Sequence, residues 1–251
     1  MRTARIVQGG RPLTVEVGPD GLLHAGGTTY EPDSVVFLPP VEPRTVYGLA
    51  LNYADHAAEL GLERPPDPAI FIKARSSLIG HRGEVVYPPG AEYCHYEAEL
   101  AVVIGRAARR VPAREALMYV SGYTVANDFT CRDFVKNIFR PPVKAKGFDT
   151  FGPLGPYLVT ADEIRDPGAL RVSTRVNGEL RQEGSTRDLI YSVPEIIEYF
   201  SAFLTLEAGD VILTGTPKGI SHVYPGDEMV CAVEGIGELA NRVVGEEGRT
   251  S

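Results

Sequence analysis

The stretch His95-Tyr96-Glu97-Ala98-Glu99-Leu100-Ala101-Val102-Val103 carries two acidic residues two positions apart and then runs continuously apolar. The two-residue period of a strand puts the Glu97 and Glu99 side chains on one face. The apolar run that follows predicts a strand entering a core from a charged end. Like charges placed this way repel unless a cation lies between them. A third carboxylate, Asp128, closes another strand-like run over residues 120–128. Three carboxylate oxygens with open positions suit a hard divalent cation such as Mg²⁺, which keeps waters or takes substrate oxygens. On the residues alone, the alternative is a solvated acidic edge strand.

Outward from this stretch, strand signals dominate. Residues 45–51, 211–214 and 229–233 read as strands, the last turning at Gly235-Ile236-Gly237 into 239–244. Asn177-Gly178, between apolar-alternating runs, is a strong hairpin signal. Residues 53–60 and 130–137 read as short helices. The best helix opens at Ser192-Val193-Pro194-Glu195, a capping box followed by Ile196, Ile197, Phe200, Phe203 and Leu204. Residues 1–42 read as a small N-terminal β-rich domain of short strands (4–8, 13–17, 22–24, 28–30) ending in the Pro-rich linker 38–43. Residues 43–251 are expected to form a second, larger domain that carries the acidic stretch. The fold class is mixed, mainly β (α+β), with mixed sheets and short helices; the strand–helix alternation of a doubly wound sheet is missing.

Composition narrows the function classes. The 251 residues include 25 Lys+Arg against 33 Asp+Glu, a net charge of −8, with no tryptophan. An acidic chain without a basic cluster points away from nucleic acid. No apolar run reaches membrane-spanning length and the first residues lack a signal-peptide core, so no membrane partner is expected and a cytoplasmic location is. Three cysteines without a pairing motif fit a reducing compartment. The 27 glycines and 20 prolines predict many turns.

Three other groupings could carry chemistry. His56 and Glu59 lie three apart on the predicted helix, where a carboxylate can orient an imidazole as a general base; the alternative is a surface pair. Lys144-Ala145-Lys146-Gly147-Phe148-Asp149 follows Arg140-Pro141-Pro142 and offers a cation to a carboxylate or an oxyanion; the alternative is solvated lysine. Thr214-Gly215-Thr216-Pro217-Lys218-Gly219 lacks the phosphate-loop spacing and reads as a rigid turn offering N–H groups and a hydroxyl to an anion.

In this order, these motifs resemble the fumarylacetoacetate hydrolase family over residues 44–245. The resemblance rests on Asn52-Tyr53-Ala54-Asp55-His56, Glu97-x-Glu99, Asn127-Asp128 with Arg132-Asp133, Lys146-Gly147-x-Asp149, Val176-Asn177-Gly178-Glu179-Leu180-Arg181-Gln182 and 209–219. Ala50 departs from the glycine more usual before the Asn-Tyr segment. Within the family, the chain is similar to bacterial enzymes that isomerise 2-hydroxyhepta-2,4-diene-1,7-dioate and decarboxylate 5-oxopent-3-ene-1,2,5-tricarboxylate. Acylpyruvate hydrolases and oxaloacetate decarboxylases share most of the same motifs. A third reading, from another class, is a non-catalytic metal-dependent dicarboxylate binder.

The resemblance implies a β-roll of mixed sheets, a homodimer, and Mg²⁺ or Mn²⁺ held by Glu97, Glu99 and Asp128. It assigns His56 and Glu59 as an acid/base pair and Lys146 as a catalytic cation. Thr216, with Gly215 and Asp149 beside the matching motifs, goes to an oxo-dicarboxylate substrate. By position, Arg140 or Arg132 is expected at that substrate's distal carboxylate, the alternative being a surface arginine.

Overall fold

The computed structural model describes residues 1–59, 66–135 and 141–246, the side chains of 56–58 excepted. The apolar run after Glu99 forms the strand Ala98–Ile104, and every residue in it is buried. Alternation sends Leu100, Val102 and Ile104 into one apolar cluster and Ala101 and Val103 into another. The strand is thus covered on both faces, as an unbroken apolar run requires. It pairs antiparallel with Val120–Asn127 on one side and Val211–Leu213 on the other.

These three strands lie within a large mixed sheet. Its order is Thr28–Tyr30, Leu23–Ala25, Arg11–Val17, Arg2–Gln8, Gly152–Thr160, Val120–Asn127, Ala98–Ile104, Val211–Leu213, Val46–Ala50 and Ala69–Lys73. The pairing of Val211–Leu213 with Val46–Ala50 is parallel. A second sheet runs Glu179–Ser185, Arg171–Val176, Glu228–Val233, Gly237–Gly245 and Glu84–Tyr87. Between Arg171–Val176 and Glu179–Ser185, Asn177 and Gly178 both take positive φ (51° and 81°), the turn that matches strand twist.

The helix Val193–Phe203 starts at the expected capping box on Ser192 and Glu195. Its Ile196, Ile197 and Phe200 join Leu100, Val102, Val172, Cys231 and Leu239 in the largest core cluster. Each such side chain contributes ~1.5–3 kcal/mol on burial.

Two local expectations change. Residues 130–137 do not open as a helix: Thr130–Cys131 is a strand, then Arg132–Phe134 a 3-10 turn. The reason is a partner distant in sequence. Cys131 faces Cys94 across a two-stranded antiparallel pair, and Arg132 N–H donates to the Tyr93 carbonyl at 2.7 Å. The strand Gly152–Thr160 was unforeseen because its Gly-Pro-Leu-Gly-Pro start reads as a turn. Its pairing with Val120–Asn127 is irregular between Tyr123 and Val125, across from Pro156, which has no N–H to give. The same strand takes Arg2 and Thr3 as antiparallel partners, joining the N-terminal strands to the sheet. Those strands also gather Ala4, Ile6, Val15, Leu23 and Phe37 into a cluster of their own.

Candidate metal centre and active site

Strand register assembles the acidic group. Ala98 lies opposite Asn127, so the flanking Glu97 and Asp128 meet at the sheet's end. There Asp128 N–H donates to the Glu97 carbonyl at 2.9 Å, and Glu97 N–H donates to Asn127 Oδ1 at 2.9 Å. Glu99 follows on the same face as Glu97. Glu97, Glu99 and Asp128 each offer an oxygen within 4.8 Å of the others, and all three are buried.

The loop after Val211–Leu213 runs along this strand and fixes it. Gly215 N–H donates to Glu99 Oε2 at 2.6 Å, and the Thr216 hydroxyl donates to the Ala98 carbonyl at 2.9 Å. Thr216 Oγ1 also accepts from Gln182 Nε2 at 2.8 Å, so its hydroxyl is committed within the protein. Gly215 sits at φ +97°, and a Cβ there would stand 2.9 Å from Asn52 Cβ. Asn52 in turn donates to the carbonyls of Thr214 and Tyr191, pinning the Asn-Tyr segment beside the loop.

Two ammonium groups enter the acidic cluster. Lys146, ending the short helix Val143–Lys146, donates to Glu97 Oε2 at 2.9 Å, Asp128 Oδ2 at 2.5 Å and Thr130 Oγ1 at 2.8 Å. Burial alone pulls its pKa down, but Asp128 and Glu97 outweigh that and hold it above the ordinary lysine value. Lys73 donates to Asp128 Oδ1 at 2.6 Å and to the Lys146 carbonyl at 2.7 Å. For Lys73, burial wins over Asp128 and lowers the pKa. Glu99 is pushed well above the carboxylate range by burial, then by Asp128 and Glu97, against the opposing Lys146 and Gly215 N–H. Lys73, Lys146 and Arg132 stand against Asp128 and Glu97, whereas among the described residues no cation pairs with Glu99. Hard oxygen donors, closely spaced and under-compensated, fit a divalent cation of the Mg²⁺ or Mn²⁺ kind.

The predicted site residues Glu97, Glu99, Asp128, Lys146, Gly215 and Thr216 come together. Glu59, at the end of the helix Ala54–Glu59, is exposed and accepts the Gly219 N–H at 2.9 Å, which ties that helix to the same loop. Asp149 is exposed in the turn following Lys146. Arg132 Nη2 stands 3.8 Å from Glu97 Oε1. The His56 side chain and Arg140 lie outside the described residues.

Sequence reasoning missed Lys73 and His95. Lys73 ends the strand Ala69–Lys73, whose only early sign is a cation closing an apolar run. His95 is fully buried, its Nδ1 3.2 Å from the Tyr96 carbonyl and 3.6 Å from Glu97 Oε1. Burial, opposed by Glu97, lowers its pKa to about 4.

The fold has counterparts among known proteins. A family model described as fumarylacetoacetate (FAA) hydrolase C-terminal matches residues 45–244. The chain belongs to the fumarylacetoacetate hydrolase family. It is 51% identical over 203 residues to the 4-hydroxyphenylacetate degradation bifunctional isomerase/decarboxylase of Salmonella dublin, covering 81% of this chain and 47% of that protein. The chain thus spans about half the length of the first curated relatives it matches. The crystal structure of 2-hydroxyhepta-2,4-diene-1,7-dioate isomerase from Mycobacterium marinum aligns with TM-score 0.85 at 34% identity, covering 99% of this chain and 100% of that one. Fumarylpyruvate hydrolase from Pseudomonas aeruginosa, in complex with Mn²⁺ and pyruvate, aligns with TM-score 0.77 at 37% identity, covering 86% and 94%. The mixed, mainly β class expected from sequence is the family's fold. Among the described residues, no helix is long and apolar enough to cross a membrane.

Proposed function

We propose that this chain is a metal-dependent isomerase/decarboxylase acting on 2-oxo or 2-hydroxy-enoic dicarboxylates in aromatic catabolism, of the 2-hydroxyhepta-2,4-diene-1,7-dioate isomerase type. The observation that carries this reading is the buried Glu97–Glu99–Asp128 cluster with the Lys146 ammonium inside it. The three carboxylates would hold Mg²⁺ or Mn²⁺. Bound there, such an ion would supply Lewis-acid stabilisation of negative charge developing on substrate oxygens.

The chain's own residues do the rest. Lys146 keeps its proton and places positive charge beside the developing oxyanion. His56 moves the proton between substrate carbons, with Glu59 as its partner on the helix, while the Glu59–Gly219 bond keeps that helix against the loop bearing Gly215 and Thr216. Gly215 and Thr216 position the loop at the substrate. Arg132 or Arg140 takes the distal carboxylate, and Asp149 is assigned to substrate binding with them. A homodimer in the cytoplasm, binding neither nucleic acid nor membrane, belongs to the same reading. So does a domain boundary at residues 42/43, supported by the family match beginning at 45.

A second reading, acylpyruvate hydrolase or oxaloacetate decarboxylase, is favoured by the likeness to the fumarylpyruvate hydrolase. Absorbance assays with Mg²⁺ on 2-hydroxyhepta-2,4-dienedioate, acetylpyruvate and oxaloacetate separate the two. Turnover of the diene alone, abolished by EDTA, is the expected result. Turnover of acetylpyruvate or oxaloacetate instead selects the second reading. Silence on all three, with metal bound, leaves a non-catalytic dicarboxylate binder.

A further inference from the structure

Lys73 reaches the acidic cluster by an unusual route. In the strand Ala69–Lys73, at one end of the large sheet, the isoleucines face outward, Ile70 41% and Ile72 63% exposed, while Phe71 and Lys73 face inward. The Lys73 side chain is 0% exposed. It packs against Gly152, where a Cβ would stand 3.1 Å from Lys73 Cε. A fully buried ammonium is costly unless it is paired and hydrogen-bonded, and Lys73 has two such partners. One is Asp128 Oδ1 and the other the carbonyl of Lys146.

The consequence concerns oxygens. Lys73 occupies Asp128 Oδ1, and Gly215 N–H occupies Glu99 Oε2. Asp128 Oδ2 is the oxygen left for an ion to share with Lys146, which also has Glu97 Oε2 and Thr130 Oγ1 as partners. Large cations such as Ca²⁺ collect six to eight oxygens and readily take carboxylates through both; Mg²⁺ demands near-octahedral geometry and takes one oxygen from each. An ammonium on Oδ1 repels a dication from that oxygen.

We propose that Lys73 is a positioning residue that sets the cation preference of the site, by confining Asp128 to one-oxygen coordination and so disfavouring large cations. This rests on the reading of Glu97, Glu99 and Asp128 as metal ligands. Residues that merely hold the fold would weaken every ion alike when changed. Lys73 alters the ratio between ions.

The test is calorimetric titration of EDTA-stripped, dialysed protein with MgCl₂, MnCl₂ and CaCl₂, comparing wild type with Lys73→Met. The ratio Kd(Ca²⁺)/Kd(Mg²⁺) falls at least fivefold in the variant if the inference holds. A smaller change, or a rise, overturns it. Should Lys73→Met fail to fold, crystals of the wild type loaded with Mg²⁺ decide the matter. Asp128 bound through one oxygen, with Lys73 on the other, supports the inference; Asp128 bound through both overturns it. Wild type that takes up none of the three ions overturns the metal reading itself, whereas uptake with an unmoved ratio overturns only the role of Lys73.

Discussion

Glu99→Gln should make the protein more stable without metal and less stable with it. Glu99 is 1% exposed and shares its burial with Glu97 and Asp128. Its pKa is raised first by burial and then by those two carboxylates, so the folded chain prefers this group uncharged. Glutamine reproduces that uncharged form in nearly the same shape and keeps an oxygen for the Gly215 N–H. A raised folded pKa means the group stabilises the fold below its ordinary carboxylate range. That contribution is lost as pH rises through the raised value, so near neutrality the wild type carries a penalty that the variant does not. The variant is therefore expected to be the more stable of the two in the absence of metal. For a chain of this length, each kcal/mol moves Tm by ~2–4 °C. With a divalent ion at a hundred times its Kd, the wild type gains ~2.7 kcal/mol by linkage and the variant, lacking a ligand, gains little. Differential scanning calorimetry at pH 7.5 should therefore show the order of melting reversed: variant above wild type in EDTA, wild type level with or above variant in excess Mg²⁺. A variant that melts below wild type in EDTA, and rises as much with Mg²⁺, refutes the reasoning.

Other perturbations test separate parts of the site and fold. His56→Ala should lower kcat by ~10²–10⁴ with calorimetric metal affinity unchanged, and an unaltered rate removes His56 from the proton transfer. Gly215→Ala forces a side chain onto φ +97° and within 2.9 Å of Asn52 Cβ; it should cost ~1–3 kcal/mol in urea unfolding and weaken metal binding by disturbing the N–H that holds Glu99. His81 is held to a pKa of about 4 by burial and then by Arg82, and its Nδ1 accepts the Ala240 N–H. Because a lowered histidine stabilises the fold above its ordinary 6.5 and loses that contribution as pH falls toward 4, stability should drop across this window. His81→Gln should flatten that part of the urea profile, and an equally steep profile in the variant rules the residue out.

Much of the site was legible because it is written locally. Glu97 and Glu99 share a face by the period of a strand, the apolar run behind them required burial on both sides, and Asn177-Gly178 and the Ser192 capping box name their own turns. What sequence could not supply was pairing between distant segments. Residues 130–134 are not helical as expected because Cys131 meets Cys94, thirty-seven positions earlier along the chain. Gly152–Thr160 is a strand because Arg2–Gln8 and Val120–Asn127 flank it, whatever its own glycines and prolines prefer.

By itself, then, the sequence determined a mainly β chain of this family with three carboxylates and Lys146 as its centre. Only the tertiary structure decided that Asp128 stands between two lysines, that Lys73 is one of them, and that the Thr216 hydroxyl is already committed to Ala98 and Gln182. Local periodicity fixes which way a side chain points from its own strand. Which groups it meets there depends on the register of strands brought together from across the chain, and no local pattern encodes that.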